Sequence, residues 1–271
     1  MSIDPSFQSK YGPWALVAGG SVGLGAEFAR QLAAKGLNLI LVARRVGPLE
    51  AIAKELTNRY GVEVRAIPLD LGSEGMLTSL REKTRDLEVG LLVYNAALGL
   101  VGPFLEQNLE EKLKIIDVCC RGPLMLADEF GRSMAARGRG GIILMSSLAG
   151  QQGSALIATY AASKAYDLVL GEGLWSELGE HGVDVLSFCA GATRTPNYEE
   201  SQPRRAGRFP PLMEPGPVVS EALAKLGKGP SAIAGRANRL AGFLMSRLMP
   251  RRLAVETISR QTRAMYARRR S

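Results

Sequence analysis

Short segments that are apolar at nearly every position alternate with longer stretches in which apolar residues recur every three or four positions. The apolar segments have the length of strands and are predicted to be buried on both faces, as in a parallel sheet that helices cover on each side. The predicted strands are 13–18, 38–43, 62–69, 89–94, 141–145 and 183–189, with a last short strand at 231–234. This alternation predicts an α/β fold with a doubly wound sheet.

The intervening stretches are predicted helices, because their apolar positions fall on one side at 3.6 residues per turn. They span 26–35, 47–60, 73–86, 109–136, 155–181 and 218–226. Ser73 is a plausible N-cap, and Gly122 with Pro123 is expected to interrupt the helical stretch 109–136. The segment 102–107 is predicted to be a loop.

Residues 192–217 are rich in Pro, Arg and Gly and have little periodicity of either kind. A structureless connection of this length is uncommon in a compact domain unless it has a function, so we expect a lid over a substrate site. Residues 1–235 are assigned to one large domain that includes this lid. Residues 236–271 are assigned to a basic helical C-terminal extension.

The positive charge of the chain is concentrated in this extension. Residues 236–271 contain ten arginines, no lysine and one acid, which gives +9, so the rest of a chain of net charge +8 carries −1. A nucleic-acid-binding protein should carry its charge on the folded body, so no nucleic-acid partner is expected. The segment 239–249 is a predicted amphipathic helix that could close a substrate pocket, pack on a second subunit or contact a membrane surface. Packing on its own fold or on a second subunit is favoured over membrane contact.

The composition, with 46% hydrophobic and 22% charged residues, is that of an ordinary globular protein. The sequence has no run of eighteen apolar residues, and its start does not resemble a signal peptide. Cys119, Cys120 and Cys189 lack the spacing of a metal site, so no metal is expected. Three scattered cysteines fit a reducing, cytoplasmic location.

A glycine-rich turn lies between the first predicted strand and the first predicted helix. It reads Gly19-Gly20-Ser21-Val22-Gly23-Leu24-Gly25. Glycines allow the backbone to approach a pyrophosphate closely, and a helix N-terminus offers N–H groups and a positive dipole end. The spacing differs from the common G-x-G-x-x-G, so the turn alone is a weak indication of a nucleotide site. Its place between a strand and a helix strengthens that indication.

Arg44 and Arg45 stand at the end of the second predicted strand, where many NAD-dependent proteins have an acid that binds the ribose 2′-hydroxyl. Guanidiniums pair with phosphate, so these residues favour NADP, with its 2′-phosphate, over NAD. The alternative is that they are solvated charges at the end of a strand. Asp70 and Leu71 follow the third strand, where a carboxylate could accept a hydrogen bond from an adenine amino group.

Tyr160 and Lys164 are four residues apart in the predicted helix 155–181, which places them on one face, one turn apart. A lysine beside a phenol favours the phenolate, so we expect Lys164 to lower the pKa of Tyr160 and to let it exchange a proton. Ser147 follows the strand 141–145, and its hydroxyl could hold a carbonyl oxygen beside the phenol. The alternative is a surface helix on which the tyrosine and the lysine are incidental.

Four features together resemble the classical short-chain dehydrogenase/reductase family. They are the glycine-rich turn, the acid after the third strand, Asn95-Ala96 after the fourth, and Ser147 thirteen residues before a Tyr-x-x-x-Lys. The resemblance covers about residues 10–235. It implies a single Rossmann-type domain with a seven-stranded parallel sheet, a nicotinamide cofactor across the strand ends, and hydride transfer between the cofactor ring and a substrate carbon.

The resemblance also implies residue roles. Tyr160 matches the general acid/base, Lys164 the residue that lowers its pKa and holds the nicotinamide ribose, and Ser147 the hydroxyl that orients the carbonyl. The residues expected to bind the cofactor are Gly19, Ser21, Gly23, Leu24, Gly25, Arg44, Arg45, Asp70, Leu71, Asn95, Ala96, Tyr160, Lys164, Gly191, Thr193 and Thr195.

The sequence departs from the family pattern at several positions. Ala18 stands where a Thr usually precedes the turn, and Tyr94 and Ala97 flank Asn95-Ala96 in place of the outer residues of Asn-Asn-Ala-Gly. The fourth catalytic member of the family, an Asn twenty-eight residues before the serine, is Cys119. A thiol is a poor hydrogen-bonding group, so we expect a slower proton relay and a side chain that acts as a small buried filler.

The sequence therefore predicts an oxidoreductase that transfers hydride between NADP(H) and a ketone or secondary alcohol, assembled as a homodimer or homotetramer. An apolar substrate pocket is expected from Leu98, Leu100, Leu148, Leu156, Ile157, Leu212 and Met213. Such a pocket favours a lipophilic substrate that is steroid-like, long-chain oxoacyl or polyketide-like, unless several of these residues belong to the core. The alternative function is a catalytically weakened nucleotide-binding regulator on the same fold.

Overall fold

Seven parallel strands form one sheet in a computed structural model that describes residues 5–200 and 212–266. The strands are β1 (Trp14–Ala18), β2 (Asn38–Ala43), β3 (Val64–Pro68), β4 (Val89–Tyr94), β5 (Gly140–Ser147), β6 (Val183–Ala190) and β7 (Ser231–Ile233). Their order is β3-β2-β1-β4-β5-β6-β7. The predicted seven-stranded parallel sheet is confirmed, and all seven predicted strands are present with shifts of a few residues at their ends.

The helices connect the strands. They are α1 (Pro5–Tyr11), α2 (Gly23–Ala34), α3 (Val46–Tyr60), α4 (Met76–Thr84), α5 (Leu109–Ile116), α6 (Gly122–Arg137), α7 (Ala158–Gly179), α8 (Pro196–Glu200), α9 (Pro215–Lys225), α10 (Arg236–Phe243) and α11 (Arg251–Tyr266). None of the helices within the described ranges is long and apolar enough to cross a membrane.

Successive residues of β1 show why the apolar strands require helices on both sides. Ala15 and Val17 belong to one buried cluster, whereas Leu16 and Ala18 belong to another on the opposite face of the sheet. Side chains alternate between faces along a strand, so a strand that is apolar throughout must be covered twice. The doubly wound arrangement is therefore confirmed.

The order of the strands places a crevice between β1 and β4. From β1 the chain moves outward to β2 and β3, and it then crosses back to β4 and moves the other way. The loops after β1 and β4 thus lead to opposite sides of the sheet, and α/β proteins bind ligands at the carboxyl ends of strands at such a point. The glycine-rich turn and Asn95 both lie there.

Four predicted helix starts are wrong by three residues: α2 and α9 begin earlier than predicted, and α4 and α7 begin later. α4 begins at Met76, with Gly75 in the N-cap position, and the predicted cap Ser73 instead donates from its hydroxyl to the Asp70 carbonyl at 2.8 Å. α7 begins at Ala158 because the chain turns sharply at Leu156, whose φ of +67° is in the left-handed region.

The interruption predicted at Gly122 and Pro123 begins earlier. A π-helical segment (Asp117–Arg121) separates α5 from α6, and the Gly122 N–H donates to the carbonyl of Asp117, five residues back. The Tyr94 hydroxyl donates to the Val118 carbonyl, which a regular α-helix would pair with Gly122. A side chain at Gly122 would collide with that hydroxyl. A phenol from β4 therefore holds the wide turn open.

The predicted loop 102–107 also includes a short 3-10 helix, Phe104–Glu106.

The segment expected to be a lid, 192–217, is described except for residues 201–211, which lie outside the described part. Thr193 pairs with Met213 in an isolated β-bridge, so the two ends of the segment are joined at its base. α8 occupies part of the first end. α9 begins at Pro215, three residues earlier than predicted, so residues 215–217 belong to a helix. The function of the segment as a lid stays a prediction.

The C-terminal extension contains more structure than the predicted helix 239–249. α10 begins at Arg236, a π-helical segment (Leu244–Leu248) follows, and α11 then runs for 16 residues. Ala254, Ser259 and Thr262 of α11 are buried against the rest of the protein. Packing of the extension on its own fold, one of the two favoured alternatives, is therefore observed.

Candidate active site

Ser147, Tyr160 and Lys164 lie together at the carboxyl end of β5. Ser147 is the last residue of β5, and Tyr160 and Lys164 are one turn apart at the start of α7. The Ser147 hydroxyl is a hydrogen-bond partner of the Tyr160 phenol and also accepts from the Ala149 N–H at 3.2 Å. The Lys164 ammonium donates to the Met145 carbonyl at 2.8 Å, which turns it toward the same strand. The predicted cluster of three polar groups is present.

The protonation of Tyr160 differs from the prediction. Burial raises the pKa of Tyr160 above its ordinary value, while the charge of Lys164 and the hydrogen bond with Ser147 act in the opposite direction. Lys164 therefore lowers the pKa of Tyr160, as expected, but in the protein without a cofactor this effect is smaller than that of burial. The phenol carries its proton at neutral pH, which is the form a proton donor needs.

Asp167 was not identified from the sequence. Its Oδ2 accepts from the Lys164 ammonium at 2.8 Å, and the two side chains are 1% and 3% exposed. Burial acts to lower the pKa of Lys164, but the Asp167 carboxylate, with Tyr160 and Cys119, outweighs it and raises that pKa. The sequence did contain an indication of this pair, because Asp167 follows Lys164 by three residues and such residues share a helix face.

Cys119 lies in the π-helical segment and is fully buried. Its sulfur accepts from the Leu98 N–H at 3.2 Å and donates to the Leu98 carbonyl at 3.6 Å. Burial raises the pKa of the Cys119 thiol. The side chain is buried as predicted, but it does not act only as a filler, since it links the π-helical segment to the loop after β4. The backbone carbonyl of Cys119 lacks its usual helical partner, because the residue four positions later is Pro123, which has no N–H.

The glycine-rich turn has the shape that a diphosphate requires. Gly19 and Gly23 have φ of +80° and +57°, and an added Cβ at Gly19 would lie 2.8 Å from the backbone of Ala96. One at Gly25 would collide with the Gly19 carbonyl oxygen. The N-cap position of α2, Val22, forms no side-chain capping bond, so the helix N-terminus faces the turn with N–H groups available. These residues fit a dinucleotide.

The other predicted members of the turn have two different surroundings. Ser21 is half-buried within the turn itself. Leu24, in the first turn of α2, packs against the main core, so its contact with a cofactor would come from its backbone.

The predicted adenosine side of the site lies beside the ends of β2 and β3. Arg44 and Arg45 are exposed, and neither forms an ion pair with an acid in the described residues. The Asp70 carboxylate accepts from the Gly72 N–H at 3.0 Å and lies 3.5 Å from the Lys114 ammonium. Leu71 is 5% exposed within the core, so its side chain does not face a cofactor.

The residues after β4 and β6 reach the same turn from the other side. The Asn95 amide donates to the Gly19 carbonyl at 3.2 Å. An added Cβ at Gly23 would lie 3.1 Å from the Cβ of Thr195, so Thr195 stands against the turn. The Thr193 hydroxyl donates to the Gly191 carbonyl at 3.0 Å. A side chain at Gly191 would collide with the Asn238 amide, so this glycine makes room for α10.

The loop that joins Ser147 to Tyr160 is held by the C-terminal extension. The Ser154 and Thr262 hydroxyls are 2.7 Å apart, and the Ser259 hydroxyl accepts from the Ala155 N–H at 3.0 Å. Ser154, Ser259 and Thr262 are all buried. On its other side the loop is fixed by the Gly102 N–H, which donates to the Leu156 carbonyl at 2.9 Å. This contact was not predicted from the sequence.

The expected pocket residues divide into two groups. Leu98 and Leu100 pack beside the small cluster around Cys119. Gly99, between them, is close to Tyr160, because a Cβ added at Gly99 would lie 3.4 Å from the tyrosine ring. Leu148, Leu156, Ile157 and Leu212 are half-buried. Met213 is half-buried too, but it packs against the main core, which favours the alternative interpretation for this residue. No three His, Cys, Asp or Glu side chains are grouped as a metal site within residues 5–200 and 212–266.

The chain is similar to known proteins over most of its length. A sequence model described as short chain dehydrogenase matches residues 13–206. The 7beta-hydroxysteroid dehydrogenase of Clostridium sardiniense is 33% identical over 234 residues, which are 86% of this chain and 90% of that protein.

Two solved structures extend this likeness to the fold. One, from work on 7beta-hydroxysteroid dehydrogenase stereoselectivity, has a TM-score of 0.87 and 30% identity, covering 93% of this chain and 98% of the other. The other, a short-chain dehydrogenase from Sphingobium yanoikuyae in complex with NADPH, has a TM-score of 0.75 and 30% identity, covering 88% and 96%. With its seven-stranded sheet, its glycine-rich turn and its serine, tyrosine and lysine, the chain belongs to the short-chain dehydrogenase family of oxidoreductases.

Proposed function

We propose that the protein is an NADPH-preferring carbonyl reductase that acts on a lipophilic ketone. The observation that supports this best is the convergence of Ser147, a protonated Tyr160 and Lys164 at the end of β5, on the same edge of the sheet as the uncapped glycine turn. These groups are what a carbonyl needs in order to accept a hydride and a proton.

The residues divide the chemistry between them. Bound NADPH supplies the hydride that adds to the carbonyl carbon. The Ser147 hydroxyl donates a hydrogen bond to the substrate oxygen, and Tyr160 transfers its phenolic proton to that oxygen. The Lys164 ammonium stabilises the phenolate that remains. Because the phenol starts protonated, the site is suited to reduction.

NADPH preference is proposed on the two free guanidiniums. Arg44 and Arg45 follow β2, lie exposed and have no acid partner in the described part of the chain. A 2′-phosphate placed there would gain charge-assisted hydrogen bonds that the hydroxyl of NAD does not offer. The structural relative from Sphingobium yanoikuyae, which was solved with NADPH, supports the same choice.

A lipophilic substrate is proposed on the half-buried apolar side chains near Tyr160. Leu98, Leu100, Leu148, Leu156 and Ile157 come from two loops on either side of the reacting groups. The similarity to a 7beta-hydroxysteroid dehydrogenase supports a steroid-like ketone, with a long-chain oxoacyl or polyketide-like compound as the next choices. The three free cysteines support a reducing, cytoplasmic setting.

The experiment is a panel of steroid, long-chain oxoacyl and small polar ketones, with NADPH oxidation followed by absorbance. We expect turnover of the bulky apolar ketones and little of the polar ones. Tyr160→Phe should abolish turnover, because no proton donor remains, and should leave NADPH binding measured by fluorescence nearly unchanged. The matched control Tyr60→Phe, which removes a phenol hydroxyl from the last residue of α3, should behave as wild type.

The same panel separates this proposal from the nucleotide-binding regulator. A protein that binds NADPH and reduces no ketone of the panel would support the regulator. Retained turnover in Tyr160→Phe would contradict the assigned proton donor. The two bonds between Cys119 and Leu98 favour the enzyme, since they keep the π-helical segment joined to the site despite the missing asparagine.

A further inference from the structure

A buried ion pair lies directly behind the proposed proton donor. The Lys164 ammonium has two partners in the described structure, the Met145 carbonyl and the Asp167 Oδ2, each at 2.8 Å. The lysine and the aspartate are 3% and 1% exposed. The second carboxylate oxygen, Oδ1, is buried and has no hydrogen-bond partner among the described residues. Both charges are therefore removed from water, and each depends on the other.

Asp167 is fixed in place from the sheet. The Ser187 hydroxyl, on β6, donates to the Asp167 backbone carbonyl at 2.8 Å. A side chain at Gly171, one turn further along α7, would collide with that hydroxyl, so the glycine allows the close approach. This face of α7 is therefore buried against β6, and the three-residue spacing within the helix brings the carboxylate to Lys164.

The other titratable groups near the pair cannot take the place of Asp167. They are Tyr94 on β4, Cys119 and Cys120 in the π-helical segment, Tyr160 and Tyr166 on α7, and Cys189 on β6. All are phenols or thiols, and burial raises the pKa of each one. They are neutral at physiological pH, so Asp167 supplies the negative charge next to Lys164.

We propose that Asp167 is a positioning residue of the reaction centre that keeps Lys164 charged and directed toward Tyr160. The proposal rests on the proposed function, in which the lysine acts on the phenol. A buried ammonium without a counter-ion loses its proton more readily, because burial disfavours the charged form. Without Asp167, Lys164 would no longer oppose the effect of burial on Tyr160.

The first experiment uses thermal unfolding of the cofactor-free protein and needs no substrate. Asp167→Asn leaves a buried ammonium unpaired and Lys164→Met leaves a buried carboxylate unpaired, so each should lower Tm by several degrees. The double variant has no buried charge and should regain at least half of the summed loss. Asp128→Asn is the matched control, because it breaks an exposed ion pair with Arg132 on α6. It should change Tm little. Additive losses in the double variant would overturn the proposal.

The second experiment is the pH dependence of alcohol oxidation with NADP+, in which Tyr160 must be deprotonated. In Asp167→Asn the rising limb of kcat/KM should move to higher pH by about one unit or more, since Tyr160 loses the opposing charge of Lys164. Asp167→Glu should restore most of the wild-type profile. An unchanged limb, or a move to lower pH, would overturn the proposal.

The two experiments separate the failure of each claim. If the wild-type protein turns over no substrate, the proposed function fails while the unfolding cycle still decides whether the pair is coupled. If turnover is present and the cycle or the pH limb contradicts the coupling, only the role of Asp167 fails.

Discussion

The proposed preference for NADPH depends on two guanidiniums at the end of β2, Arg44 and Arg45. Arg44→Asp should lower the ratio of kcat/KM with NADPH to that with NADH by about tenfold or more. A hydrogen bond to a charged group contributes about 1.5–3 kcal/mol, and about 1.4 kcal/mol corresponds to tenfold. Initial rates with both cofactors on one ketone measure this ratio.

Arg45→Asp is the matched comparison for that measurement, because Arg45 is the adjacent exposed cation. A larger effect there would assign the phosphate contact to Arg45. An unchanged ratio in both variants would show that neither arginine contacts the 2′-phosphate.

The grouping of Ser147, Tyr160 and Lys164 could be predicted from the sequence because the signals of these residues are local. Tyr160 and Lys164 are one helical turn apart, and Ser147 ends an apolar strand. The protonation of Tyr160 could not be predicted, because it depends on how far a folded environment excludes water from the phenol. Asp167 was overlooked although its spacing from Lys164 is local, since an acid on a helix is usually solvated. Its burial depends on the close approach of β6, which Ser187 on that strand and Gly171 on α7 itself permit.

At the scale of elements, α11 supports the loop between Ser147 and Tyr160. Thr262→Val removes the hydroxyl that pairs with Ser154, and Ser259→Ala removes the acceptor for the Ala155 N–H. The double variant should raise KM for a bulky ketone or lower kcat several-fold, because the loop loses two buried hydrogen bonds of about 1 kcal/mol each. NADPH affinity should be unchanged, since the glycine turn lies elsewhere.

Steady-state kinetics and a fluorescence titration of NADPH check this expectation. Thr57→Val makes the same chemical change on the exposed face of α3 and should have no effect. Kinetic constants that stay at the wild-type values in the double variant would show that α11 does not position the loop.

The sequence did not predict those elements whose conformation is set by residues far away in the chain. The π-helical segment arises because the Tyr94 hydroxyl, 24 residues away in sequence, takes the Val118 carbonyl. α11 is rich in arginine, and two of the three residues on its buried face, Ser259 and Thr262, carry hydroxyls. Hydrophobic periodicity does not identify such a face. The strands were predicted well because continuous apolar runs identify them without any knowledge of their partners.

At the scale of the whole molecule, α5 presents an exposed apolar face within the described part of the chain. Leu109, Leu113 and Ile116 lie at successive turns of α5 and are 61%, 54% and 41% exposed. Such a face is a candidate for contact with a second copy of the chain. Sedimentation velocity should show a dimer or larger species for wild type, and Leu113→Glu should shift it toward monomer.

Leu248→Glu, on the C-terminal extension, is the comparison for this prediction, because its leucine is 66% exposed. It should leave the assembly intact. A wild-type monomer, or an assembly broken only by the change at Leu248, would contradict the assignment to α5 and would place the contact on the extension.

The contact between α11 and the loop before Tyr160 also bears on how the enzyme matures in the cell. All seven strands precede α11 in the chain, so no strand of the sheet depends on residues 251–266, whereas the reaction centre does depend on them for its last support. A nascent or truncated chain would then resemble the finished protein in its sheet and in its nucleotide turn but not in its catalytic loop. Competence for chemistry would then be expected only of chains that include α11.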